Sequence, residues 1–402
     1  MNDWIQNYLL TALRIDKAYK ASSQGWFIDT FYGPTSLQSQ VDAEPVYQAD
    51  KLIRQIDDLA TTLATQGFGP QRTTFLSKQI QAMSVLAHRL AGAALPLEEE
   101  IRRCLDITPQ WLPETDLEQA LAMYDEALPG TENLRERYHS WEQRSTISSI
   151  APKNLVHLLQ QILMEVRQRT RKIIDLPEDE TIEVRVVQNQ PWGAANWYLG
   201  NYRSRLELNG DLPVNLFGLL YLMSHEGYPG HHTEFTLKER HLYRDQGYGE
   251  HAVFFISPQL VIAEGIASVA MDLIFTPEEA AAWAIEHLYT PFNRAVTDAD
   301  LIQLYRAASI SRLDDLGGNV VMLLHDGYTE QQIVDYVLQY RLESEEQIRK
   351  WIQGLQSPLM QIYAFSYAAG KQVLRPWLQG EQRIPMVKRL LTEQIYPSLL
   401  QP

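Results

Sequence analysis

Eight residues near the middle of the chain carry the side chains best suited to chemistry, His225-Glu-Gly-Tyr-Pro-Gly-His-His232. They follow an almost wholly apolar run, residues 214–223, which is typical of a buried helix. An ionisable cluster at the end of a buried helix is costly unless something pairs with it. Neutral imidazole is the commonest metal ligand among side chains, so a divalent metal ion is the simplest partner.

The spacing of the histidines requires the helix to break between them. In an unbroken helix His225 and His231 would lie about 9 Å apart along the axis, too far to share one zinc ion. Pro229 supplies the break, because it offers no amide hydrogen to the carbonyl of His225 and its ring clashes with that carbonyl. Gly230 can then adopt backbone angles that other residues resist. The motif therefore predicts a chain reversal, with His231 preferred to His232 as the second ligand.

A third ligand is expected from the next strongly apolar helix. A hydrolytic zinc site takes three protein ligands and leaves one position open for water. Glu264 lies in an apolar stretch of small residues, 261–272, where a charged carboxylate needs a partner. The alternative for Glu264 is a buried or interface salt bridge. We interpret Asp272 as an acid behind the ligands, and His232 as a residue behind the ligands or in contact with substrate.

Glu226, directly after the first histidine, is the expected catalytic base. It would take a proton from the attacking water and pass it to the leaving amine. His225, His231 and Glu264 would hold one Zn²⁺ per chain, and metal-activated water would attack a peptide or related amide bond. Two alternatives stay open: a hydrolase of a non-peptide amide or ester, and a catalytically silent helical scaffold with a structural metal or none.

Most of the chain is predicted to be helical, because apolar residues recur at three- and four-residue spacing. The predicted helices cover residues 1–20, 47–66, 71–94, 115–128, 153–175, 258–275, 277–289, 298–325, 329–341, 344–354 and 358–379. Proline and glycine near 128–152 suggest an N-terminal helical region, 1–150, and a metal-site region, 151–402. A single integrated domain is the alternative.

Two alternating segments, 181–188 and 196–209, predict strands. Asp211 and Pro213 then predict the start of the helix that carries His225. The second strand could bind an extended peptide at a sheet edge. Its candidate substrate contacts are Tyr198, Tyr202, Arg203 and Arg205. Their alternative role is packing or pairing within the sheet. The expected fold is mainly α (α+β), with a small antiparallel sheet beside the metal-binding helix.

Composition argues against several classes of partner. Of 402 residues, 45% are hydrophobic and 21% charged, which is ordinary for a soluble globular enzyme. The formal net charge of −15 argues against nucleic acid and gives no sign of an anionic membrane surface. No apolar stretch reaches the roughly 20 residues of a membrane span, and no signal-peptide pattern opens the chain. With Cys104 as the only cysteine, we expect a cytoplasmic protein that acts on a peptide or small amide.

The motif His225-Glu-x-x-Pro-Gly-His231, together with Glu264-Gly265, resembles the domain-of-unknown-function eight-eight-five family. The resemblance covers about residues 180–380, and three further segments support it: Trp26 to Pro34, Trp192 to Ser204, and Tyr363 to Gly370. The family is similar to the gluzincin peptidases, so the resemblance implies a zinc metallopeptidase with two histidine ligands and one glutamate. The chain departs from the family at Ile266, Val269 and Met271, which keeps the silent-scaffold alternative open.

Two tyrosines near the C-terminal end are candidates for the active site. Tyr363 and Tyr367 are four residues apart and share a helical face, and Gly370 permits close approach of another backbone on that side. The resemblance implies that this segment folds back over the cleft. Tyr367 is therefore the candidate donor to the oxyanion that develops during hydrolysis, and Tyr363 is a candidate supporting residue. The alternative is that both rings pack in the core.

Overall fold

The mainly α architecture predicted from the sequence is confirmed. A computed structural model describes residues 2–93, 95–190 and 192–401. The helices before the metal motif are α1 (Asp3–Ala21), α2 (Thr35–Ala43), α3 (Ala49–Thr62), α4 (Pro70–Leu90), α5 (Leu97–Leu105), α6 (Glu114–Ala127), α7 (Leu134–Ser145) and α8 (Pro152–Thr170). The end predicted for α4, at Ala94, lies outside the described residues.

The helices from the metal motif onward include the elements that build the site. They are α9 (Leu216–Glu226), α10 (His231–Lys238), α11 (Pro258–Ile274), α12 (Pro277–Ala284), α13 (Asp298–Ile310), α14 (Gly317–His325), α15 (Glu330–Tyr340), α16 (Glu345–Leu355), α17 (Pro358–Leu374), α18 (Arg383–Thr392) and α19 (Pro397–Leu400). α11 lies at the centre and packs against α9, α10 and α17.

The strands form small sheets beside these helices. They are β1 (Ile28–Phe31), β2 (Thr146–Ile147), β3 (Thr181–Val187), β4 (Ala194–Gly200), β5 (Arg203–Asn209), β6 (Val214–Asn215) and β7 (Val253–Phe255). β1 pairs with β7 and β2 with β6, both antiparallel. The third sheet has the order β3-β5-β4. The predicted antiparallel pairing holds for β4 and β5, whereas β3 runs parallel to β5. β4 is therefore at the edge of this sheet.

The single strand predicted over residues 196–209 is a hairpin. Between β4 and β5, Asn201 and Tyr202 have φ angles of 54° and 58°, as in the two central positions of a type I′ turn. Glycine is the usual residue at the second position, and the tyrosine there conceals the turn in the sequence. The reversal places Tyr198 opposite Ser204, so Tyr198 and Tyr202 do not share the face of one continuous strand.

The helix that carries His225 begins later than predicted, because β6 precedes it. The side chain of Asn215 caps α9 by accepting a hydrogen bond from the N–H of Phe217 at 3.0 Å. Asp211, the predicted cap, instead accepts a hydrogen bond from the backbone N–H of Asn189 at 2.6 Å. The local signals for a helix start at Asp211 thus miss the short strand β6, which pairs with β2 and directly precedes α9.

The helix predicted over residues 298–325 is interrupted. α13 ends at Ile310, a 3₁₀ turn covers Leu313–Leu316, and α14 follows it. In the interruption, Arg312 forms an ion pair with Asp116 of α6 at 2.8 Å. Arg312 and Asp116 are far apart in the sequence, so the local apolar periodicity does not predict this ion pair.

Two apolar cores meet at α11. The first combines residues of α1, α3, α4 and α5 with residues of α14 to α17, and the second combines residues of α8, α9, α12, α13 and α18. Val261 of α11 belongs to the first core and the neighbouring Ile262 to the second. Since residues from both sides of position 150 build the first core, this packing favours the integrated-domain alternative.

None of the described helices alone is long and apolar enough to be a membrane span. α11 and the helical run Pro277–Phe292 reach that length and hydropathy only as a pair, which is bent by 78°.

Candidate metal centre

The chain reverses between α9 and α10, as the metal motif predicts. α9 ends at Glu226 and α10 begins at His231. The N–H of Gly230 donates to the carbonyl of Ser224 at 3.0 Å, which folds the chain back onto the last turn of α9. A Cβ atom at Gly230 would lie 1.9 Å from the carbonyl oxygen of His225. The interruption of the helix is confirmed, and only glycine fits its tightest point.

The reversal brings the three predicted ligands together. One ligand atom from each of His225, His231 and Glu264 lies within 4.8 Å of the other two. Nε2 of each histidine is 3.6 Å from a carboxylate oxygen of Glu264. Two ligand atoms at about 2.1 Å from a tetrahedral zinc ion lie about 3.4 Å apart. The spacing of the side chains therefore fits a zinc ion, and Oε2 of Glu264 is buried without a hydrogen-bond partner.

The protonation states of the two histidines also suit a metal. Burial lowers the pKa of His225 to about 4, against an opposing effect of the Ala267 backbone, and it lowers the pKa of His231 well below its ordinary value. Both imidazoles are therefore neutral, which is the form that binds metals. Burial also raises the pKa of Glu264 to about 8, against a hydrogen bond from Tyr363. Two neutral histidines give Glu264 no charged partner, so the salt-bridge alternative does not describe this cluster.

Glu226 follows the first ligand and is partly open to solvent. Its backbone carbonyl accepts a hydrogen bond from the side-chain amide of Asn196, on the edge strand β4, at 2.6 Å. Burial raises the pKa of Glu226 to about 8, and the negative charge of Asp29 adds to the rise. Asn196 was not among the residues predicted for the site, although the segment that contains it shares the family resemblance.

A close crossing of α11 and α17 supplies the two tyrosines. A Cβ atom on Gly370 would lie 2.5 Å from the carbonyl oxygen of Val261 and 2.6 Å from Cα of Gly265. The two helices therefore touch backbone to backbone, as expected for Gly370. About two turns before this crossing, the hydroxyl of Tyr363 donates a hydrogen bond to Oε1 of Glu264. Tyr363 thus supports a ligand.

Tyr367 lies beside Tyr363, whose hydroxyl bonds to the proposed ligand Glu264. Its ring centroid is 5.6 Å from that of Tyr363, and the ring is partly open to solvent. Burial raises the pKa of Tyr367 well above its usual value, and the negative charges of Glu264 and Glu226 add to this. The hydroxyl therefore stays protonated near the ligands and the expected base, as a donor must.

A buried network of hydrogen bonds lies behind the chain reversal between α9 and α10. His232 is fully buried, and its ring nitrogens contact Oγ of Ser204 at 2.8 Å and Oε2 of Glu180 at 3.1 Å. Glu180 also accepts hydrogen bonds from Tyr228 and Arg167. These contacts fix the first turn of α10, so His232 lies behind the ligands and does not reach a substrate.

The remaining predicted residues do not join the cluster. Tyr198 is buried and its hydroxyl donates to Glu239 at 2.5 Å, and Tyr202 packs beneath Arg244 at 5.0 Å from its ring centroid. Three other side chains also make no contact with the proposed ligands. Arg203 is exposed, and Arg205 pairs with Glu207 at 2.9 Å. Asp272 is exposed and lies two turns after Glu264 on α11. Packing and pairing within the fold therefore describe these side chains better than a role in the site.

Asp29 is the acid near the cluster that sequence reasoning missed. It lies on β1 at an irregularity in the pairing with β7, where Ile28 pairs with Phe255 and Thr30 with Phe254. Such a bulge redirects a side chain, and Asp29 is open to solvent between buried neighbours. Asp29 belongs to the segment from Trp26 to Pro34, which carries part of the family resemblance. That resemblance was the sequence signal that could have identified Asp29.

Comparison with known proteins gives a fold relationship. Neither a protein-family model nor a curated protein matches the chain. A solved structure, "The crystal structure of the putative lipoprotein from Colwellia psychrerythraea", is similar over 96% of this chain and 71% of that chain, with a TM-score of 0.51 and 14% sequence identity. At this identity the similarity concerns the fold alone.

Proposed function

We propose that this protein is a zinc-dependent, peptidase-like hydrolase related to the domain-of-unknown-function eight-eight-five family. The observation that carries the proposal is the convergence of His225, His231 and Glu264, with Glu226 next to the first ligand. Their ligand atoms lie within 4.8 Å of one another, and desolvation lowers the pKa of both imidazoles, which favours the neutral form that binds metals. The buried, unpartnered carboxylate oxygen of Glu264 completes the requirement for a cation.

His225, His231 and Glu264 would hold one zinc ion per chain. When bound, zinc lowers the pKa of a water molecule and polarises a carbonyl group. Glu226 would take the proton from the attacking water and hand it to the leaving amine. The hydroxyl of Tyr367 would donate to the oxygen on which negative charge develops. The substrate would be a peptide or a small amide.

The ligand set is tested by elemental analysis of the purified protein. We expect about one zinc ion per chain, and a sharp loss of zinc in His225→Ala, His231→Ala and Glu264→Ala. His139→Ala is the matched control, since that side chain is 65% exposed. Retention of full zinc content by the Glu264 variant would remove Glu264 from the ligand set.

The base is tested separately from the metal. Glu226→Gln keeps the size of the side chain but cannot accept the proton. We expect it to retain zinc and the melting temperature of the wild type, while hydrolysis of a peptide library falls at least about 100-fold. A zinc-loaded wild type that cleaves none of these peptides would contradict the proposed function and support a scaffold.

A further inference from the structure

An apolar pocket opens beside the metal cluster. Its walls include Trp26, Phe254, Leu359 and Met360, and its lining also includes Asp29 and Tyr363. The pocket holds about 430 Å³ including its open mouth. Tyr363 joins the two sites directly, because it lines the pocket and donates a hydrogen bond to Glu264. A molecule held at the cluster could therefore place an apolar group in the pocket.

Asp29 is the one acid in the lining of this pocket. The irregular pairing of β1 with β7 turns it out of a segment whose flanking residues, Ile28 and Thr30, are buried. None of the described lysine or arginine side chains forms a salt bridge with Asp29. The main chain before it is anchored, since the N–H groups of Phe27 and Ile28 donate to Asp16 at 2.9 and 3.0 Å. The main chain before Asp29 is thus anchored, and the carboxylate of Asp29 has no salt-bridge partner among the described side chains.

We propose that Asp29 and the adjoining pocket bind the first residue of a peptide, with the carboxylate receiving its free α-ammonium group and the pocket its apolar side chain. This inference rests on the proposed function and makes the protein an aminopeptidase-like enzyme. The α-nitrogen of an amino acid lies about 2.5 Å from its own carbonyl carbon. A carboxylate that lies close to the reacting carbonyl group is therefore well placed to bind this ammonium group.

The chemistry of the pocket agrees with this placement. Asp29 and Tyr363 line the same pocket, and Tyr363 donates a hydrogen bond to Glu264, so Tyr363 links the pocket that contains the acid to the proposed ligands. A cationic side chain of lysine or arginine would carry its charge several bonds further from the scissile carbonyl. The apolar walls formed by Trp26 and Met360 would also receive such a side chain poorly.

Binding to an inactive form tests the subsite without hydrolysis. Zinc-supplemented Glu226→Gln protein is titrated calorimetrically with L-leucinamide and with N-acetyl-L-leucinamide. We expect the free amine to bind about 10- to 100-fold more tightly, as for one hydrogen bond to a charged group. Adding Asp29→Asn should remove this preference, whereas Asp57→Asn, an exposed acid on α3, should leave it unchanged.

The pocket is tested by the side chain of the ligand. Trp26→Ala, at a residue that is 53% exposed, should weaken binding of L-leucinamide about 3- to 10-fold by the loss of apolar contact, and leave binding of glycinamide unchanged. Equal binding of the free and acetylated amides overturns the proposal. So does a preference that persists in Asp29→Asn, or the failure of L-leucinamide to bind at millimolar concentration.

Hydrolysis separates this inference from the function on which it rests. Wild type that cleaves free and N-acetylated Leu-Ala-Ala peptides at equal rates refutes the subsite and leaves a peptidase. Amine-selective binding in a protein that cleaves no peptide supports the subsite and refutes the hydrolase.

Discussion

Replacing Gly230 with alanine tests the backbone reversal on which the metal cluster depends. The added Cβ would lie 1.9 Å from the carbonyl oxygen of His225 and 2.5 Å from that of Ser224. Both oxygens belong to the backbone of α9, so neither can rotate away. Relief requires a shift of about 1 Å, since carbon and oxygen atoms repel strongly below van der Waals contact. His225 is itself a proposed ligand, so the shift reaches the cluster directly.

The magnitude follows from the tolerance of metal sites. Zinc–ligand distances hold to within about 0.2 Å, so we expect Gly230→Ala to weaken zinc binding by about 100-fold or more. Overpacking of this kind costs about 1–3 kcal/mol of unfolding free energy. With an unfolding entropy of about 2.1 cal/mol/K per residue, the melting temperature of the metal-free protein should fall by about 1–4 °C.

Gly218→Ala is the matched control, because Gly218 lies in the same helix and its added Cβ would meet no atom within 4 Å. Alanine favours a helix over glycine by about 0.8–1 kcal/mol, so this variant should melt about 1 °C higher and bind zinc as the wild type does. Zinc titration calorimetry and scanning calorimetry with and without zinc give both quantities. Wild-type zinc affinity in Gly230→Ala would refute the reasoning, as would a loss of zinc in Gly218→Ala.

Two further substitutions test α17. Tyr367→Phe removes only a hydroxyl and should lower turnover about 10- to 1,000-fold, with zinc content and melting temperature unchanged; equal turnover would retire Tyr367 as the oxyanion donor. Gly370→Ala places a Cβ 2.5 Å from the carbonyl of Val261 and should cost about 1–3 kcal/mol of stability and reduce turnover. Gly354→Ala, whose added Cβ meets nothing within 4 Å, should not destabilise the protein, and equal melting temperatures for the two glycine variants would contradict the close crossing.

The convergence of His225, His231 and Glu264 was predictable because its constraints are local. Pro229 and Gly230 stand between two histidines whose separation forbids an unbroken helix, so the break follows from the backbone alone. Glu264 was predictable for a different reason: a lone acid in an apolar helix requires a partner. The backbone geometry of one segment and the cost of burying an unpaired acid in another therefore pointed to the arrangement that the structure has.

The missed features depend on pairings between distant segments. The turn at Asn201 and Tyr202 follows from the pairing of β4 with β5, although tyrosine is an unusual residue for it. Asp29 reaches the cleft because β1 pairs irregularly with β7, more than two hundred residues away in the sequence. Asn196 reaches Glu226 from the edge of another sheet. Periodicity and spacing describe single segments, so they do not contain these contacts.

The charge of the cleft connects the metal proposal with the amine proposal. Asp29, Glu226 and Glu264 bring three carboxylates into it. Burial raises the pKa of the two glutamates to about 8, and desolvation by the cleft walls raises that of Asp29 to about 6 although solvent reaches its side chain. No lysine or arginine acts on the pKa of Glu226 or Glu264 within the described chain. A divalent metal ion and one substrate ammonium group would supply three positive charges. The raised pKa values mean that these carboxyl groups ionise fully only when the cations are bound, so each proposed ligand supplies part of the positive charge that the ionised groups require.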